Sequence, residues 1–238
     1  MKKPLPYINS PALLCTLPLS KIKVQFRPFV VKEQKALLLA QQSEDEEVIY
    51  ATIKAVISSC TNNTVDLETL PLTDLSYLFL QMKISSSGND VKFKTGCENE
   101  MCEATIIIEL DLSLVKVDTS KSDLTVKLTQ DIGIIFKYPT IVESVIANIP
   151  NNTTNFIASI IDKIYDAESM YTRDDYTPEE LVDWVENLND VQLIRIQEFI
   201  ENIPELKQEL IYVCPKCNKE HRKLLEGLQD FFRDSDGE

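Results

Sequence analysis

The spacing of apolar residues divides the chain into helical and strand-like stretches. Apolar residues recurring three and four positions apart predict helices over 30–42, 44–60 and 74–85. The first is expected to have its apolar centre at 36–40, and the third to bury Leu75, Leu78, Phe79 and Met82. Ser43 is the predicted N-cap of the second helix, and Thr73 can cap the third. After the polar stretch 85–89 the period falls to two, which predicts strands up to Pro139. We therefore expect an N-terminal helical unit followed by a small antiparallel sheet.

Helical spacing returns at Thr140 and continues to about residue 209. A helix is indicated through 156–164 by apolar residues that share one face, and the polar stretch 166–176 is predicted to be a loop. The second half of the chain is thus expected to continue as helices.

The last helices have clearer start signals. Thr177 is followed by a proline and by Glu180 at the third helical position, which is the pattern of a capping box. Asn189 or Asp190 can cap the next helix, and a closing helix is predicted over 223–233.

Together these patterns predict an α+β fold whose C-terminal helices are closed by a zinc-ribbon-like site of four cysteines. Five segments are expected: an extended basic arm (1–25), the helical unit (26–86), the small antiparallel sheet with the first cysteine pair (90–139), an acidic helical segment (140–209), and the second cysteine pair with the closing helix (210–238).

Charge is spread unevenly along a chain whose net charge is −14. Residues 1–35 carry seven Lys or Arg and one acid, whereas 166–209 carry thirteen acids and three bases. The acidic balance argues against direct binding of nucleic acid, because phosphate contacts need Lys and Arg. A basic front and an acidic rear suit docking on different partners or on copies of one another, and two solvated faces are the plain alternative.

The compartment can also be inferred from the sequence. Prolines at positions 4, 6 and 11 interrupt the start where a signal peptide would have an apolar core. No apolar run reaches the roughly 18 residues that a membrane span needs. We expect a cytosolic protein without membrane contact, in which six reduced cysteines favour metal binding or burial over disulfides.

Two cysteine pairs are the candidate metal ligands. Cys214 and Cys217 are separated by Pro-Lys, which is the spacing of a metal knuckle, and Cys97 and Cys102 form the other close pair. Four thiolates would complete a structural zinc site. His221 offers an alternative fourth ligand; unliganded thiols and iron–sulfur ligation are the other interpretations.

Other candidate chemistry is sparse. His221 is the chain's single histidine, so a nucleophile–histidine pair could be built only at the knuckle. Asp174 and Asp175 are candidates for a cation but are more typical of a solvated loop, and Cys60 is expected in the core. Trp184 could anchor a partner, as could the Phe pair at 231–232, although both fit a buried helix face. We predict a protein without enzymatic activity.

Several short stretches occur in a characteristic order along the chain: FRPFVVKE at 26–33, KALLLA at 35–40, GIIFKYPT at 133–140, and the terminal CPKC at 214–217 followed by GLQDFF at 227–232. Together they resemble the baseplate hub subunit family of T-even-like contractile-tailed phages. The resemblance covers most of the chain in order and supplies no catalytic residues.

The resemblance implies a component or assembly factor of the central hub of the tail baseplate. Its partners would be other hub and tail proteins, met in the host cytoplasm during assembly or in the virion tail. The rival interpretation is a zinc-ribbon adaptor that binds a transcription or nucleic-acid complex.

Overall fold

The computed structural model describes residues 10–43, 45–99, 101–120, 123–147, 149–150 and 152–227, with Glu46 described by its backbone alone. The chain forms two compact units. The first contains the described residues up to 67, residues 74–117 and those from 206 onward; the second contains 68–73 and 118–205. No helix in the described ranges is both long and apolar enough to cross a membrane.

The described residues form helices and small antiparallel sheets, as predicted. In chain order the elements are β1 (Leu13–Thr16), β2 (Lys23–Phe26), α1 (Val31–Gln42), α2 (Glu46–Cys60), α3 (Leu72–Ser87), β3 (Asp90–Gly96), β4 (Thr105–Asp111), β5 (Lys116–Val117), β6 (Thr125–Lys127), β7 (Gly133–Phe136), α4 (Ile141–Ala147), α5 (Thr153–Ile160), β8 (Ile161–Tyr165), β9 (Met170–Thr172), α6 (Pro178–Glu186), α7 (Asp190–Glu201), β10 (Leu206–Val213) and β11 (Glu220–Glu226).

The predicted extended arm forms a hairpin over its described part. Strands β1 and β2 pair antiparallel, and Val24 and Phe26 are buried. The carboxylate of Asp74, itself fully buried, accepts the backbone N–H groups of Leu19 and Ser20 at 2.7 Å each. These contacts attach the segment to α3, because a buried carboxylate needs donors. Residues 1–9 of the predicted arm lie outside the described ranges.

The N-terminal helices occur where apolar spacing predicts them, but their predicted caps were wrong. Asp45 caps α2, and its carboxylate accepts the N–H groups of Glu47 and Val48. An anionic side chain beside the first turn also meets the positive end of the helix dipole, which favours Asp45 over Ser43. Thr73 lies inside the first turn of α3, and its hydroxyl donates to the carbonyl of Pro204.

The buried faces of α1, α2 and α3 pack in the first unit. Those predicted on α3 are confirmed: Leu75, Leu78, Phe79 and Met82 are all buried. On α1 only part of the predicted apolar centre is buried, since Leu38 and Leu39 are 53% and 67% exposed.

The side chain of Arg27 forms hydrogen bonds with the first turn of α1. Its guanidinium donates to both carboxylate oxygens of Glu33, at 2.9 and 2.6 Å, and to the hydroxyl of Ser59 at 2.9 Å. Glu33 also accepts the N–H of Val30, so the carboxylate closes the first turn of the helix. This network joins β2, α1 and α2 through one buried acid.

The described residues form four separate antiparallel sheets, and the strands of the single sheet predicted over 90–139 are distributed over three of them. Their strand orders are β1-β2, β3-β4, β11-β10-β5 and β6-β7-β8-β9. The stretch 90–139 therefore contributes strands to both units. Along β4 alternate residues Ile106, Ile108 and Leu110 are buried, which is the period-two pattern that predicted the strand.

The helix predicted through 156–164 ends at Ile160. Ile161 adopts an extended backbone, and β8 pairs with β7 through Ile134–Ile164. A short isoleucine-rich run fits either structure by periodicity, and sheet pairing decides between them. Similarly, the predicted loop 166–176 contains β9 and a 3₁₀ turn at Arg173–Asp175.

The predicted closing helix is also wrong over its described part. Residues 220–226 form β11, which pairs with β10 from Val213–Glu220 to Lys207–Glu226. Leu225 is buried and Leu224 is 50% exposed, which is the alternation of a strand. The rest of the predicted helix, including the Phe pair at 231–232, lies outside the described residues.

The second unit has its own core. Phe136 stacks on Phe199 with ring centroids 4.6 Å apart, and Leu181 and Val185 of α6 are buried. The predicted capping box of α6 is confirmed, since Thr177 and Glu180 exchange hydrogen bonds with each other's backbone. Asn189 forms the equivalent box at α7 with Gln192.

Candidate metal centre

The first cysteine pair lies at the tip of the β3–β4 hairpin. The strands pair in register from Asp90–Asp111 to Gly96–Thr105, and the N–H of Cys97 donates to the carbonyl of Ala104. The N–H of Cys102 donates to the carbonyl of Asn99 at 2.7 Å, which closes the turn between the two thiols. The turn therefore presents both sulfurs at the same end of the hairpin.

The second pair lies at the tip of the β10–β11 hairpin. The N–H of Cys214 donates to the carbonyl of Lys219, and the N–H of Asn218 donates to the carbonyl of Cys214. Asn218 has φ 58°, the left-handed conformation that asparagine tolerates better than most residues. This tight turn brings Cys217 back beside Cys214.

The two hairpin tips meet. Cys97 and Cys217 have their Sγ atoms 3.6 Å apart, Cys102 and Cys214 have theirs 3.7 Å apart, and all four Sγ atoms lie within 4.8 Å of one another. A tetrahedron with zinc–sulfur bonds of 2.3 Å has edges of about 3.8 Å. The geometry thus fits one tetrahedral ion better than an iron–sulfur cluster, whose own sulfides would separate the thiolates.

The four sulfurs are reduced and largely shielded. None of them forms a disulfide; Cys102 and Cys214 are buried, and Cys97 and Cys217 are half-buried. Cys102 and Cys214 belong to the core of the first unit, where they pack with residues such as Leu210. A metal here would have four protein ligands and no open position for a substrate.

His221 lies beside the sulfurs rather than in place of one. Its Nε2 is 3.3 Å from Cys97 Sγ, and its Nδ1 is 3.4 Å from a carboxylate oxygen of Glu98. The ring is 2% exposed and stacks on Tyr212, its cross-strand partner, with centroids 5.3 Å apart. A histidine between a metal thiolate and a carboxylate can orient that thiolate by a hydrogen bond.

The pKa values of the Cys97, Cys102 and Cys217 thiols are shifted in different directions. A backbone hydrogen bond from Lys219 lowers the pKa of Cys217 to about 6. A backbone hydrogen bond from Asn99 lowers the pKa of Cys97, but burial and the neighbouring thiols outweigh it and raise the pKa to about 12. Burial also raises the pKa of Cys102. Of these three thiols, Cys217 is therefore the one ionised at neutral pH, and a bound metal ion would displace the protons of Cys97 and Cys102.

The remaining candidates lie elsewhere. Among the described residues the four cysteines form the one metal-ligand cluster, and Asp174 and Asp175 are not part of it. Cys60 is buried in α2 as predicted, and burial raises its pKa to about 11.

Sequence analysis missed two features of the structure. Glu98 was not singled out as a partner of His221, although it is adjacent to Cys97 in the chain. It also missed an aromatic cavity in the second unit, to which Trp184 contributes. The high density of tyrosines and acidic residues over 165–187 is the sequence feature that could have indicated this cavity.

Comparison with known proteins found similarity over most of the chain. Residues 11–233 match the family model described as T4 bacteriophage base plate protein. The chain is 26% identical over 216 residues to the baseplate hub assembly protein gp26 of Enterobacteria phage T4, an alignment covering 90% of this chain and 93% of that protein. No solved structure matches the chain.

Proposed function

Because the chain belongs to the T4 bacteriophage base plate protein family, we propose that it binds other hub and tail proteins as a component or assembly factor of the baseplate hub. The family supports a structural or assembly role in the baseplate. The observation that carries the proposal is the near full-length alignment with a hub assembly protein. The protein acts in the host cytoplasm during assembly and has its place at the virion tail baseplate.

We propose that this role is non-enzymatic and involves neither membrane nor direct nucleic-acid contact. The chain's single histidine is buried against Cys97, where it faces thiols rather than a cleft. The net charge of −14 would repel a phosphate backbone. An adaptor on a transcription complex has no support from the comparisons.

We propose that Cys97, Cys102, Cys214 and Cys217 hold one structural zinc ion. Their spacing supports this, since it matches a tetrahedral sulfur site. Bound zinc would supply a cross-link between two hairpins that are more than a hundred residues apart in the chain. That cross-link would stabilise the surface that the first unit offers to partners.

One partner surface of the first unit is expected on α1. This helix exposes Leu38 and Leu39 beside the exposed lysines Lys32 and Lys35. Exposed apolar residues next to positive charge suit an acidic protein partner. Arg27 is excluded from this role because it is engaged by Glu33.

Co-expression with the phage hub proteins tests the role. The tagged chain should copurify with at least one hub protein, and mass spectrometry should find it in purified tails or baseplate intermediates. The variant K32E/K35E should weaken capture, whereas Lys94→Glu on β3 serves as the matched control. Absence from every tail and intermediate fraction, with no hub protein captured, would refute the proposed function.

A further inference from the structure

A cavity of about 510 Å³ opens in the second unit beside α6. Its wall is aromatic on several sides and carries carboxylates. The residues that matter for its chemistry are Tyr165, Tyr171, Tyr176 and Trp184, with Asp166 and Asp183. We call this the aromatic pocket. Its volume is within the range of sites that bind a small ligand or a side chain.

The aromatic rings are held by the surrounding sheet. Tyr165 lies opposite Gly133 in the β7–β8 ladder, and its ring covers that glycine: a Cβ added at Gly133 would be 2.3 Å from the tyrosine hydroxyl oxygen. Tyr171 donates its hydroxyl to the Asp166 carboxylate at 2.7 Å. Contacts within the second unit therefore hold two walls of the pocket in place.

The charge of the pocket is negative. The hydroxyl of Tyr171 and two backbone N–H groups hold the pKa of Asp166 below its usual value, so this side chain is an anion at neutral pH. The backbone carbonyl of Asp183 accepts hydrogen bonds from Asn187, but among the described residues no hydrogen bond or ion pair involves the side-chain carboxylate of Asp183. No Lys, Arg or His belongs to the described lining. The segment 166–209 around it carries thirteen acids and three bases.

We propose that the aromatic pocket binds an arginine or lysine side chain presented by a basic segment of a partner protein. Aromatic faces attract a cation through their quadrupole, and arginine also stacks on them. The unpaired Asp183 carboxylate supplies an acceptor for the charged head. An anionic ligand would be repelled, and a purely apolar one would cover the Asp183 carboxylate without offering it a donor.

This inference deepens the proposed function, on which it rests for the origin of the basic segment. It assigns the chemistry of one partner contact to the second unit. A defined peptide tests the pocket alone, so failure of the peptide leaves copurification with hub proteins as a separate result.

Trp184 is the chain's one tryptophan, so its fluorescence reports on the pocket directly. The full chain is titrated with the capped peptide Gly-Arg-Arg-Gly and with the same peptide carrying citrulline, which keeps the shape without the charge. The arginine peptide should change the emission to saturation, and added salt should weaken it. The citrulline peptide should bind at least about threefold more weakly.

Matched variants separate charge from shape. Asp183→Asn should weaken the arginine peptide by about threefold to tenfold, whereas Glu186→Gln, which removes the same charge from the same helix outside the lining, should not. Tyr176→Phe should retain binding because it keeps an aromatic face, and Tyr176→Leu should reduce it. Circular dichroism of each variant checks that the fold is intact.

Three results would overturn the inference. They are no fluorescence change with the arginine peptide, equal binding of both peptides, and equal losses for Asp183→Asn and Glu186→Gln. Sedimentation tests whether a second copy of the chain occupies the pocket. If the chain self-associates and the arginine peptide dissociates the assembly, the basic segment belongs to that second copy. This result would refute the assignment to a different protein.

Discussion

Glu33 illustrates how single side chains hold the first unit together. Its carboxylate is buried and accepts hydrogen bonds from Arg27, Ser59 and the backbone of Val30. Hydrogen bonding from Arg27 lowers the pKa of Glu33 to about 2. A carboxyl with a lower pKa in the folded state stabilises that state above its unfolded pKa.

We therefore predict a specific acid sensitivity. The contribution of Glu33 should be complete above the unfolded pKa, about 4.3, and should be lost as pH falls from there towards 2. Glu33→Gln should cost about 1–3 kcal/mol at pH 7 and should reduce the acid-dependent loss of stability. Chemical denaturation at pH 7, 4 and 3 measures both effects. An equal loss from Glu47→Gln, an exposed acid on α2, would contradict this account.

His221 makes a different kind of contact, to a proposed metal ligand rather than to a metal. Replacement by alanine should lower zinc affinity about tenfold while leaving one zinc per chain, because the four sulfurs remain. Competition with a chromogenic chelator measures the affinity, and elemental analysis measures the stoichiometry. Should His221→Ala lose the metal as completely as Cys217→Ser, the histidine would be a ligand itself.

At the level of elements, the cysteines connect two hairpins that are distant in sequence. The β3–β4 and β10–β11 hairpins each build half of the site, and the cores of the two units are separate. Loss of the proposed zinc ion should therefore destabilise the hairpins of the first unit.

We predict that chelation or Cys217→Ser destabilises the first unit by on the order of 4 kcal/mol. Hydrogen exchange should increase over 90–111 and 206–226 and remain unchanged in α6 and α7. Unchanged exchange after chelation of a zinc-loaded sample would show that the cysteines have no structural role.

A substitution in the β7–β8 ladder tests how Tyr165 packs in the aromatic pocket. Gly133→Ala places a methyl group in the volume of the Tyr165 ring, which must leave its position in the wall of the aromatic pocket. We expect a stability loss of about 1 kcal/mol and weaker binding of the arginine peptide. Gly96→Ala is the matched control because nothing lies within 4 Å of its added Cβ. Equal behaviour of the two variants would refute the proposed packing.

At the scale of the whole molecule, the main feature relevant to partner binding is the uneven distribution of charge along the chain. The basic first 35 residues and the acidic 166–209 have opposite signs within one chain. Opposite charges favour encounters with different partners and make those encounters sensitive to salt.

We predict that capture of hub proteins falls as sodium chloride rises from about 0.1 M to 1 M, over which the Debye length shrinks from about 10 to 3 Å. Pull-downs across this range, with protein amounts normalised, measure the dependence. Capture that is constant across the range would point to apolar contacts, such as those offered by Leu38 and Leu39, as the main determinant.

Much of the secondary structure of this protein follows from patterns among residues that are close in sequence. The buried face of α3, the capping box at Thr177 and the alternation in β4 could be predicted from neighbouring residues, because their energetics depend on spacing within a few positions. The two cysteine pairs were recognisable for the same reason. For α7 the sequence left Asn189 and Asp190 as alternative caps, and the structure has Asn189.

Tertiary structure decided the features that depend on partners distant in sequence. Residues 161–165 and 220–226 are strands because β7 and β10 offer them hydrogen-bonding edges. The four sulfurs converge, and His221 takes its place beside Cys97, only when two hairpins meet. The aromatic pocket likewise joins a hairpin to α6. Such contacts arise from long-range pairing and core burial, which the spacing of nearby residues does not encode.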